Sequence, residues 1–273
     1  MKKAAFGGRT EWNMKRLKRC LLFCAVISLL LTSTAFAKDD ALNWYCVRNK
    51  EHKQPRADAA LSFVEKYDGF YVDHKHGDDC AEKVVYLTFD AGYENGNIEK
   101  ILDVMKQEGV TGAFFVLKNL ILKNPELVCR MADEGHLVCN HTASHRDMTK
   151  CVSIEEFKGE LETLEKLYTE ATGKTLSPYY RPPEGKFNES NMKYAKELGY
   201  KTVFWSFAYA DWDNDRQMSP ETAKLKILSN IHNGEIMLLH PTSATNAAIL
   251  KDVIKELKDQ GYRFGTLDEL TAQ

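Results

Sequence analysis

The stretch VVYLTFDAGYENGNIEKILDVMKQEG, residues 84–109, contains the pattern that decides the fold. Its first six residues form a short apolar and aromatic run, which is typical of a buried strand. Residues 97–109 then place apolar side chains at helical spacing and end on a glycine, so they predict a helix. The pattern is therefore one strand followed directly by one helix.

The same strand-to-helix pattern recurs six more times along the chain. Seven such units predict parallel strands and an α/β fold with a single catalytic domain, namely a distorted (β/α)7-type barrel. A doubly wound open sheet is the alternative. The further units are GAFFV (112–116) with NPELVCRMADEG (124–135), HLVCN (136–140) with SIEEFKGELETLEKLYTEATG (153–173), PYYR (178–181) with NESNMKYAKELG (188–199), KTVFWSF (201–207) with PETAKLKILSNIHNG (220–234), EIMLLH (235–240) with NAAILKDVIKELKDQG (246–261), and YRFGTL (262–267) with a last short helix.

The amino-terminal part of the chain is set apart by its composition. Residues 1–37 have a basic start, a short apolar run and small residues up to Ala37, which predict an export signal, with Met14 as an alternative start. An uncleaved membrane anchor is the alternative to a cleaved signal. Residues 38–83 are polar and irregular, and we expect an amino-terminal extension packing on a catalytic domain at 84–273.

Charge and missing motifs exclude several classes of partner. The first 37 residues contain seven of the 37 Lys and Arg and one of the 39 Asp and Glu, which leaves 30 basic and 38 acidic residues in the exported chain. The resulting net charge near −8 argues against nucleic acid as a partner. No G-x-G-x-x-G follows the first strand and no G-x-x-x-x-G-K-[ST] occurs, so neither a dinucleotide nor a nucleoside triphosphate site is indicated.

Five cysteines follow the export segment, which is an odd number for an exported protein. At least one thiol is therefore unpaired within the chain, and the absence of a C-x-x-C pair gives a zinc-cysteine site little support. For Cys129 and Cys139 we expect buried, inert thiols. The five residues are Cys46, Cys80, Cys129, Cys139 and Cys151.

Polar residues that directly follow the predicted strands are the candidate functional residues. In parallel α/β folds the carboxyl ends of the strands share one rim, where ligands and chemistry are found. Each residue has an ordinary structural explanation by itself, such as a turn carboxylate or a satisfied imidazole. Together they indicate one active site. They are Asp90, His141, His145, Arg181, Asp211 with Asp213, and His240.

The two histidines of NHTASH, residues 140–145, lie four positions apart. On a helix or a tight turn, this spacing brings His141 and His145 onto one face, which suits two ligands of a metal ion. Two polar side chains at the edge of a helix are the alternative, and the spacing alone leaves both open.

Five short stretches resemble the motifs of the polysaccharide deacetylases, the NodB-homology carbohydrate esterases. They are LTFDAGYENG (87–96), NHTASH (140–145), YYRPPEG (179–185), ADWD (210–213) and LLH (238–240). More narrowly, the chain resembles the spore-cortex muramic-acid deacetylases that form muramic δ-lactam. That similarity is carried by NWYCVRNKEHKQP (43–55), EKYDGFYV (65–72), TFDAGYENG (88–96) and VFWSFAYADWD (203–213).

The resemblance implies an amide hydrolysis on an acetylated sugar. A water held by a divalent metal ion attacks the N-acetyl carbonyl, and acetate leaves a free amine. By this resemblance Asp90 is the general base and is oriented by Arg181 through a charge-assisted bond. His240 is the acid that protonates the departing amine, and Asp211 holds it.

The resemblance also assigns residues that contact the substrate. The oxyanion would be stabilised by the ion and by a backbone N–H after the Pro182-Pro183 turn, that of Glu184. The two prolines and Gly185 restrict the conformations of this loop. Aromatic residues near the rim are expected to provide sugar-stacking surfaces, with core packing as the alternative for Trp205: they are Tyr93, Trp205, Tyr209 and Trp212.

By the same resemblance, His141 and His145 hold the metal ion. The wider family has Asp-Asp-Gly where this chain has DAG at 90–92, and the second Asp of that motif is the third ligand. Ala91 cannot bind an ion, so water, Asn95 or a substrate oxygen would complete the shell, with weaker affinity. Zinc is usual for the family, and cobalt and manganese are the alternatives.

The implied substrate is N-acetylmuramic acid in a peptidoglycan glycan strand whose stem peptide an N-acetylmuramoyl-L-alanine amidase has removed. The freed amine can then close a lactam on the sugar's own lactyl carboxylate, aided by proximity. The implied place is the cell wall or the forespore intermembrane space, and the implied role is in spore cortex and germination. Two alternatives are a deacetylase of another acetylated glycan, such as chitin or xylan, and an inactive glycan-binding module.

Overall fold

A computed structural model describes residues 39–49 and 51–272 of this chain. The predicted export segment, residues 1–37, lies outside the described residues. Within the described ranges, no helix is both long enough and apolar enough to cross a membrane.

The strands form one large sheet and two small ones. They are β1 Leu42–Asn43, β2 Cys46–Val47, β3 Arg56–Ala57, β4 Gly69–Phe70, β5 Lys83–Ala91, β6 Ala113–Val116, β7 Leu137–Asn140, β8 Tyr179–Tyr180, β9 Lys186–Phe187, β10 Lys201–Val203, β11 Glu235–Leu239 and β12 Tyr262–Phe264. The large sheet has the order β11-β5-β6-β7-β8-β10-β4, and β12 also pairs with β5. All of its pairs are parallel, as the strand-to-helix alternation predicts.

The sheet curls toward a closed barrel. An isolated bridge joins Val72, just after β4, to Glu235 at the start of β11, and a second bridge joins Phe207 to Met237. These contacts connect the two edges of the large sheet, so the predicted distorted barrel is adopted and the open-sheet alternative is not.

The helices pack around this sheet, most of them against one face. They are α1 Ile98–Glu108, α2 Lys118–Lys123, α3 Pro125–Asp133, α4 Ile154–Thr172, α5 Glu189–Glu197, α6 Pro220–Leu228, α7 Ala244–Asp259 and α8 Leu267–Thr271. Side-chain oxygens of Ser153, Ser219 and Ser243 each accept a backbone N–H in the first turn of the helix that follows, which explains where α4, α6 and α7 begin. The short helix α2 was not among the predicted elements.

Alternation along β5 gives the sheet two different faces. Leu87, Phe89 and Ala91 belong to the large apolar cluster beneath the helices, whereas Val84 and Tyr86 belong to a cluster on the other face. Because side chains alternate along a strand, Asp90 points to the face opposite that of Phe89 and Ala91. It therefore lies at the carboxyl end of the sheet, away from the helix-covered core.

One predicted strand, KTVFWSF at 201–207, is wrong over its second half. Only Lys201–Val203 forms β10, and beyond it the chain changes partners. The N–H of Phe204 donates to the carbonyl of Phe70, and the carbonyl of Phe207 accepts from the N–H of Leu238. The ladder is interrupted because these residues pass from one edge of the sheet to the other.

The segment from 39 to 83 contributes directly to the main sheet through β4. Its Trp44 stacks on Phe204 at 4.4 Å between ring centroids, and the indole N–H of Trp44 donates to the carbonyl of Trp205 at 2.8 Å. The described part of this segment is therefore structurally continuous with the barrel.

All five cysteines of the described chain are free thiols. Cys139 is fully buried, as predicted, and burial raises the pKa of its thiol well above the usual value. Cys129 is only half-buried, because its helix α3 lies on the surface of the sheet, so the expectation of full burial is wrong there. Cys151 is buried instead.

Candidate active site

A cavity of about 680 Å³ opens at the carboxyl ends of the parallel strands. This is the place where α/β folds bind ligands, and the volume suits a sugar-sized group. Five of the residues predicted from strand ends and loops, Asp90, His141, His145, Glu184 and His240, lie on its wall. The lining residues are Asp90, Gly92, Tyr93, Leu117, His141, His145, Glu184, Gly185, Trp205, Ala208, Tyr209, Trp212, Leu238, His240 and Thr242.

Arg181 lies behind Asp90 and is fully buried. Its Nη1 donates to Asp90 Oδ1 at 2.9 Å, and its Nη2 donates to Thr88 Oγ1 at 2.9 Å. The carbonyls of Val203 and Phe204 accept further guanidinium N–H groups at 2.9 and 3.1 Å. With its donors occupied on several sides, the guanidinium cannot rotate away, so it fixes the direction of the Asp90 carboxylate.

Opposing effects act on the pKa of Asp90. Burial raises the pKa, while the neighbouring His141, Arg181 and His240 lower it, and the net direction is downward. Asp90 is therefore an anion near neutral pH, which is the state a proton acceptor requires.

The two histidines of the pair lie in a loop after β7, so the helix-edge alternative does not hold. His145 has a left-handed backbone with φ of 57°, and Thr142 has φ of 71°. The Thr142 hydroxyl accepts the His145 N–H at 3.0 Å, and Asn140 Oδ1 accepts the Thr142 N–H at 2.9 Å. These bonds hold the strained loop in place and bring the two imidazole centroids to 5.0 Å.

The ring of His141 has a defined tautomer. Its Nδ1–H donates to the carbonyl of Arg181 at 2.9 Å, which leaves Nε2 without a proton and 3.5 Å from Asp90 Oδ2. Burial lowers the pKa of His141 to about 4, so the imidazole is neutral at physiological pH. A neutral imidazole with its second nitrogen held by a carbonyl is the usual state of a metal-binding histidine.

His240 lines the cavity and forms a hydrogen-bonded pair with Asp211. The Nδ1–H of His240 donates to Asp211 Oδ1 at 2.7 Å, and Asp211 is only 1% exposed. Burial lowers the pKa of His240, but the hydrogen bond and charge of Asp211 together with Asp90 outweigh it, so the net direction is upward. The ring is therefore suited to carry a proton, with Nε2 free to donate it.

The Pro183 turn forms a third side of the site. Glu184 has φ of 58° and lines the cavity, while Pro183 is buried and supports the turn without lining the cavity. Gly185 has φ of 65°, and a Cβ at this position would lie 2.6 Å from the Trp205 ring. A glycine is thus required here both by backbone conformation and by close packing.

The predicted aromatic residues all line the cavity, but with different exposure. Trp212 is 60% exposed and Tyr93 is 43% exposed, and the Tyr93 hydroxyl accepts a hydrogen bond from Asn214 at 2.6 Å. Trp205 is partly buried and Tyr209 is buried, so both side chains also pack against the core.

Comparison with known proteins identifies the family. The sequence matches the polysaccharide deacetylase family over residues 77–203. It is 41% identical to the peptidoglycan-N-acetylmuramic acid deacetylase PdaA of Bacillus subtilis (strain 168), over 92% of this chain and 94% of that protein. The chain belongs to the polysaccharide deacetylase family. The family predicted from the five sequence motifs is confirmed.

Solved structures agree with this deacetylase fold. The structure of Bacillus subtilis PdaA, a family 4 carbohydrate esterase, matches with a TM-score of 0.79 and 41% identity, covering 85% of this chain and 97% of that one. A family 4 carbohydrate esterase from Bacillus anthracis matches with a TM-score of 0.69 and 36% identity, covering 85% and 96%. A family 4 pseudoenzyme from Bacillus anthracis matches with a TM-score of 0.66 and 27% identity, covering 74% and 68%.

Deacetylases of this family are generally metal-dependent, so the residues present must be tested against an ion. The neutral ring of His141 and the nearby ring of His145 fit two ligand positions, and Nε2 of His141 supplies one donor atom. Ala91 belongs to the apolar cluster beneath the helices and supplies none. No group of three or more His, Cys, Asp or Glu arranged for a metal occurs in the described ranges. His141 and His145 are therefore the candidate ligands that the residues present offer.

Asp213 and Asn95, which were considered from the sequence, do not reach the deacetylase cavity, and one important residue was missed. Asp213 is exposed, and Asn95 donates its amide to the carbonyl of Thr242 at 2.8 Å, so neither belongs to the lining. Asn246 contacts both Asp211 and His240. It lies inside the predicted helix at 246–261, where an asparagine has no motif to distinguish it.

Proposed function

We propose that this protein hydrolyses the N-acetyl group of N-acetylmuramic acid in peptidoglycan glycan strands that have lost their stem peptide. The observation that carries the proposal is the pairing of Asp90 and His240 around one cavity. Arg181 favours the anionic form of Asp90, whereas Asp211 favours the protonated form of His240. Two titratable groups whose pKa values are moved apart are suited to act as base and acid. The substrate is supported by the name of the 41% identical relative.

Asp90 accepts the proton of the attacking water, and Arg181 keeps its carboxylate aimed at the cavity. The backbone N–H of Glu184 stabilises the oxygen of the tetrahedral intermediate. His240 Nε2 donates a proton to the departing amine, and Asp211 stabilises the imidazolium through Nδ1. When bound by His141 and His145, a divalent ion supplies Lewis-acid polarisation of the carbonyl and a lowered pKa of water. Zinc is the proposed ion, with cobalt and manganese as alternatives.

Digestion of purified spore cortex peptidoglycan, followed by analysis of the released muropeptides and acetate, tests this function. We expect acetate release and muramic δ-lactam from strands treated with an N-acetylmuramoyl-L-alanine amidase, and neither product from strands with intact stem peptides. Intact-stem strands, chitin and xylan serve as alternative substrates. Turnover of chitin or xylan without turnover of amidase-treated strands would refute the proposed substrate.

The matched variant for this assay is Asp90→Asn, which keeps an acceptor for Arg181 but removes the base. We expect normal folding and metal content with a loss of turnover of about 10²- to 10⁴-fold, as is typical for a positioned proton-transfer group. Circular dichroism and metal analysis provide the control. Near-normal turnover would show that Asp90 is not the base.

A second candidate function is glycan binding without catalysis, and Ala91 is the observation that favours it. A family 4 pseudoenzyme is among the structures that match this chain. Binding alone does not require the fixed Asp90–Arg181 and His240–Asp211 pairs, so we favour the enzyme. Retention of cortex strands by the protein without any acetate release would support the binding module instead.

We also propose that the protein is exported and acts in the cell wall or the forespore intermembrane space, during cortex formation and with consequences for germination. The proposal rests on the basic start and apolar run within residues 1–37. A fusion lacking residues 1–37 is expected to remain in the cytoplasm, as measured by cell fractionation beside the full chain. Equal export of both forms would refute it.

A further inference from the structure

We propose that Asn246 is a positioning residue for the acid: its side-chain amide holds the Asp211 carboxylate in the orientation in which Asp211 accepts the His240 ring. The catalytic meaning of this proposal rests on the proposed function. The contacts themselves do not.

Three donors converge on the buried Asp211 carboxylate. Oδ1 accepts the His240 ring Nδ1–H at 2.7 Å, and Oδ2 accepts the His240 backbone N–H at 2.8 Å. Asn246 Nδ2 donates to the same Oδ2 at 2.6 Å. A buried carboxylate requires such donors, since an unpaired buried charge is strongly unfavourable. Two of these donors belong to His240, and the third is the side-chain amide of Asn246.

The orientation of the Asn246 amide is determined by its surroundings. Nδ2 also donates to the carbonyl of His240 at 3.1 Å, and Oδ1 accepts the hydroxyl of Tyr209. Reversing the amide would place Oδ1 against a carboxylate and a carbonyl, so that acceptors would face acceptors. The observed orientation is therefore the one that donates to Asp211.

The position of Asn246 is fixed by the start of helix α7. It lies in the first turn of α7, where its backbone N–H donates to the Ser243 side chain at 3.1 Å. The Ser243 hydroxyl in turn donates to Gln217, whose amide donates to the carbonyl of Asp211 at 2.9 Å. The start of α7 and the loop that carries Asp211 are thus connected at two points, which restricts movement of the acid.

The neutrality of Asn246 is as important as its shape. The charged groups that act on His240 are Asp211, Asp90 and Arg181. A neutral donor beside Asp211 leaves the charge of this set unchanged. Aspartate has nearly the same shape as Asn246 but can donate a hydrogen bond only when it is protonated.

The variants Asn246→Leu and Asn246→Asp separate donation from packing. Leucine removes the donor at similar size, so we expect a fall in kcat of about 10- to 100-fold, the loss typical of a partner that orients a functional group. KM should change little. Thr245→Val is the matched control: Thr245 is buried in the same turn and bonds the carbonyl of Met218, away from Asp211.

The pH dependence of the two variants is the decisive kinetic measurement. Asn246 Nδ2 lies 2.6 Å from Asp211 Oδ2. Two carboxylates this close would share a proton, so the side chain at position 246 in Asn246→Asp donates at low pH and loses that role as the pH rises. We expect kcat of Asn246→Asp, relative to wild type, to recover as the pH falls, while the ratio for Asn246→Leu shows no recovery at low pH. Parallel profiles for the two variants would overturn the proposal.

A second measurement needs no substrate. The His240 ring is titrated by NMR in wild type, Asn246→Leu and Thr245→Val, at a temperature where circular dichroism shows all three folded. Without the Asn246 bond the Asp211 carboxylate is a stronger acceptor, so we expect a higher His240 pKa in Asn246→Leu only. An unchanged His240 titration would overturn the proposal even if stability falls. Absence of turnover by wild type would refute the proposed function while this titration still decides the role of Asn246.

Discussion

Ala91 stands where the sequence resemblance leads us to expect an aspartate, and the structure shows its surroundings. It ends β5, is fully buried and belongs to the apolar cluster beneath the helices. Its carbonyl accepts the N–H of Leu117 at 3.2 Å. A carboxylate at this position would therefore either reach an ion bound between His141 and His145 or remain buried without a partner.

For Ala91→Asp we expect tighter zinc binding, because a third protein ligand replaces a water. Without zinc, the variant should be less stable than wild type by about 1–3 kcal/mol, the usual cost of an unsatisfied buried polar group. Zinc should restore that stability, with equal or lower turnover because the carboxylate reduces Lewis acidity. Zinc titration and urea unfolding measure both effects, and Ala91→Asn controls for size. Unchanged zinc affinity would show that residue 91 does not reach the ion.

Among the elements, β11 begins with a buried carboxyl group that has no hydrogen-bond partner among the described residues and ends next to a residue of the candidate site. It leads to His240, yet it begins at Glu235, which is fully buried, with His232 Nε2 3.6 Å away. No donor in the described chain reaches either Glu235 oxygen with hydrogen-bond geometry. Burial raises the pKa of Glu235 well above its usual value, and the His232 backbone and the charge of Arg48 only partly offset this.

We expect Glu235→Gln to be more stable than wild type at pH 8 by about 1–3 kcal/mol, because burying the carboxyl without a partner opposes its ionisation and a neutral amide has no charge to bury. Because the folded pKa is raised, wild type loses stability as the pH rises above the unfolded value near 4.5, and the glutamine variant does not. The gain should thus disappear below that value. Urea unfolding at pH 4 and pH 8 measures it, with the exposed Glu197→Gln as control. A gain that is independent of pH would contradict this account.

At the scale of the whole molecule, residues 40–83 and the barrel form one structure. Gln54 Nε2 donates to the carbonyls of Asp73, His76 and Asn233, at 2.7, 3.1 and 3.0 Å. A Cβ at Gly234 would lie 2.6 Å from this nitrogen, and Gly234 has φ of 71°. The segment is therefore attached closely to the start of β11, at the end of the strand opposite His240.

For Gln54→Leu we expect a loss of stability of about 1–3 kcal/mol, because buried carbonyls lose their donor. Unfolding should remain a single transition if the segment and the barrel unfold together. Turnover at a permissive temperature should be unchanged, since the cavity lies at the other end of β11. Calorimetry and the acetate assay measure these effects, with the exposed Gln107→Leu as control. Two separate transitions would contradict the single cooperative unit.

The sequence by itself determined the alternation of strands and helices, the parallel sheet and the family. These features are local, since hydrophobic spacing and strand-end residues are read over ten to twenty neighbouring positions. The same rule placed Asp90, His141, His145 and His240 at one end of the sheet, where the cavity is found.

Only the tertiary structure decided which groups touch each other within that site. Arg181 and Asp90 are 91 residues apart in the chain, and Asn246 and Asp211 are 35 apart. It also decided that β10 ends at Val203, because the chain changes partners there. Hydrogen-bond partners and burial depend on how distant segments pack, and no local pattern of residues specifies that packing.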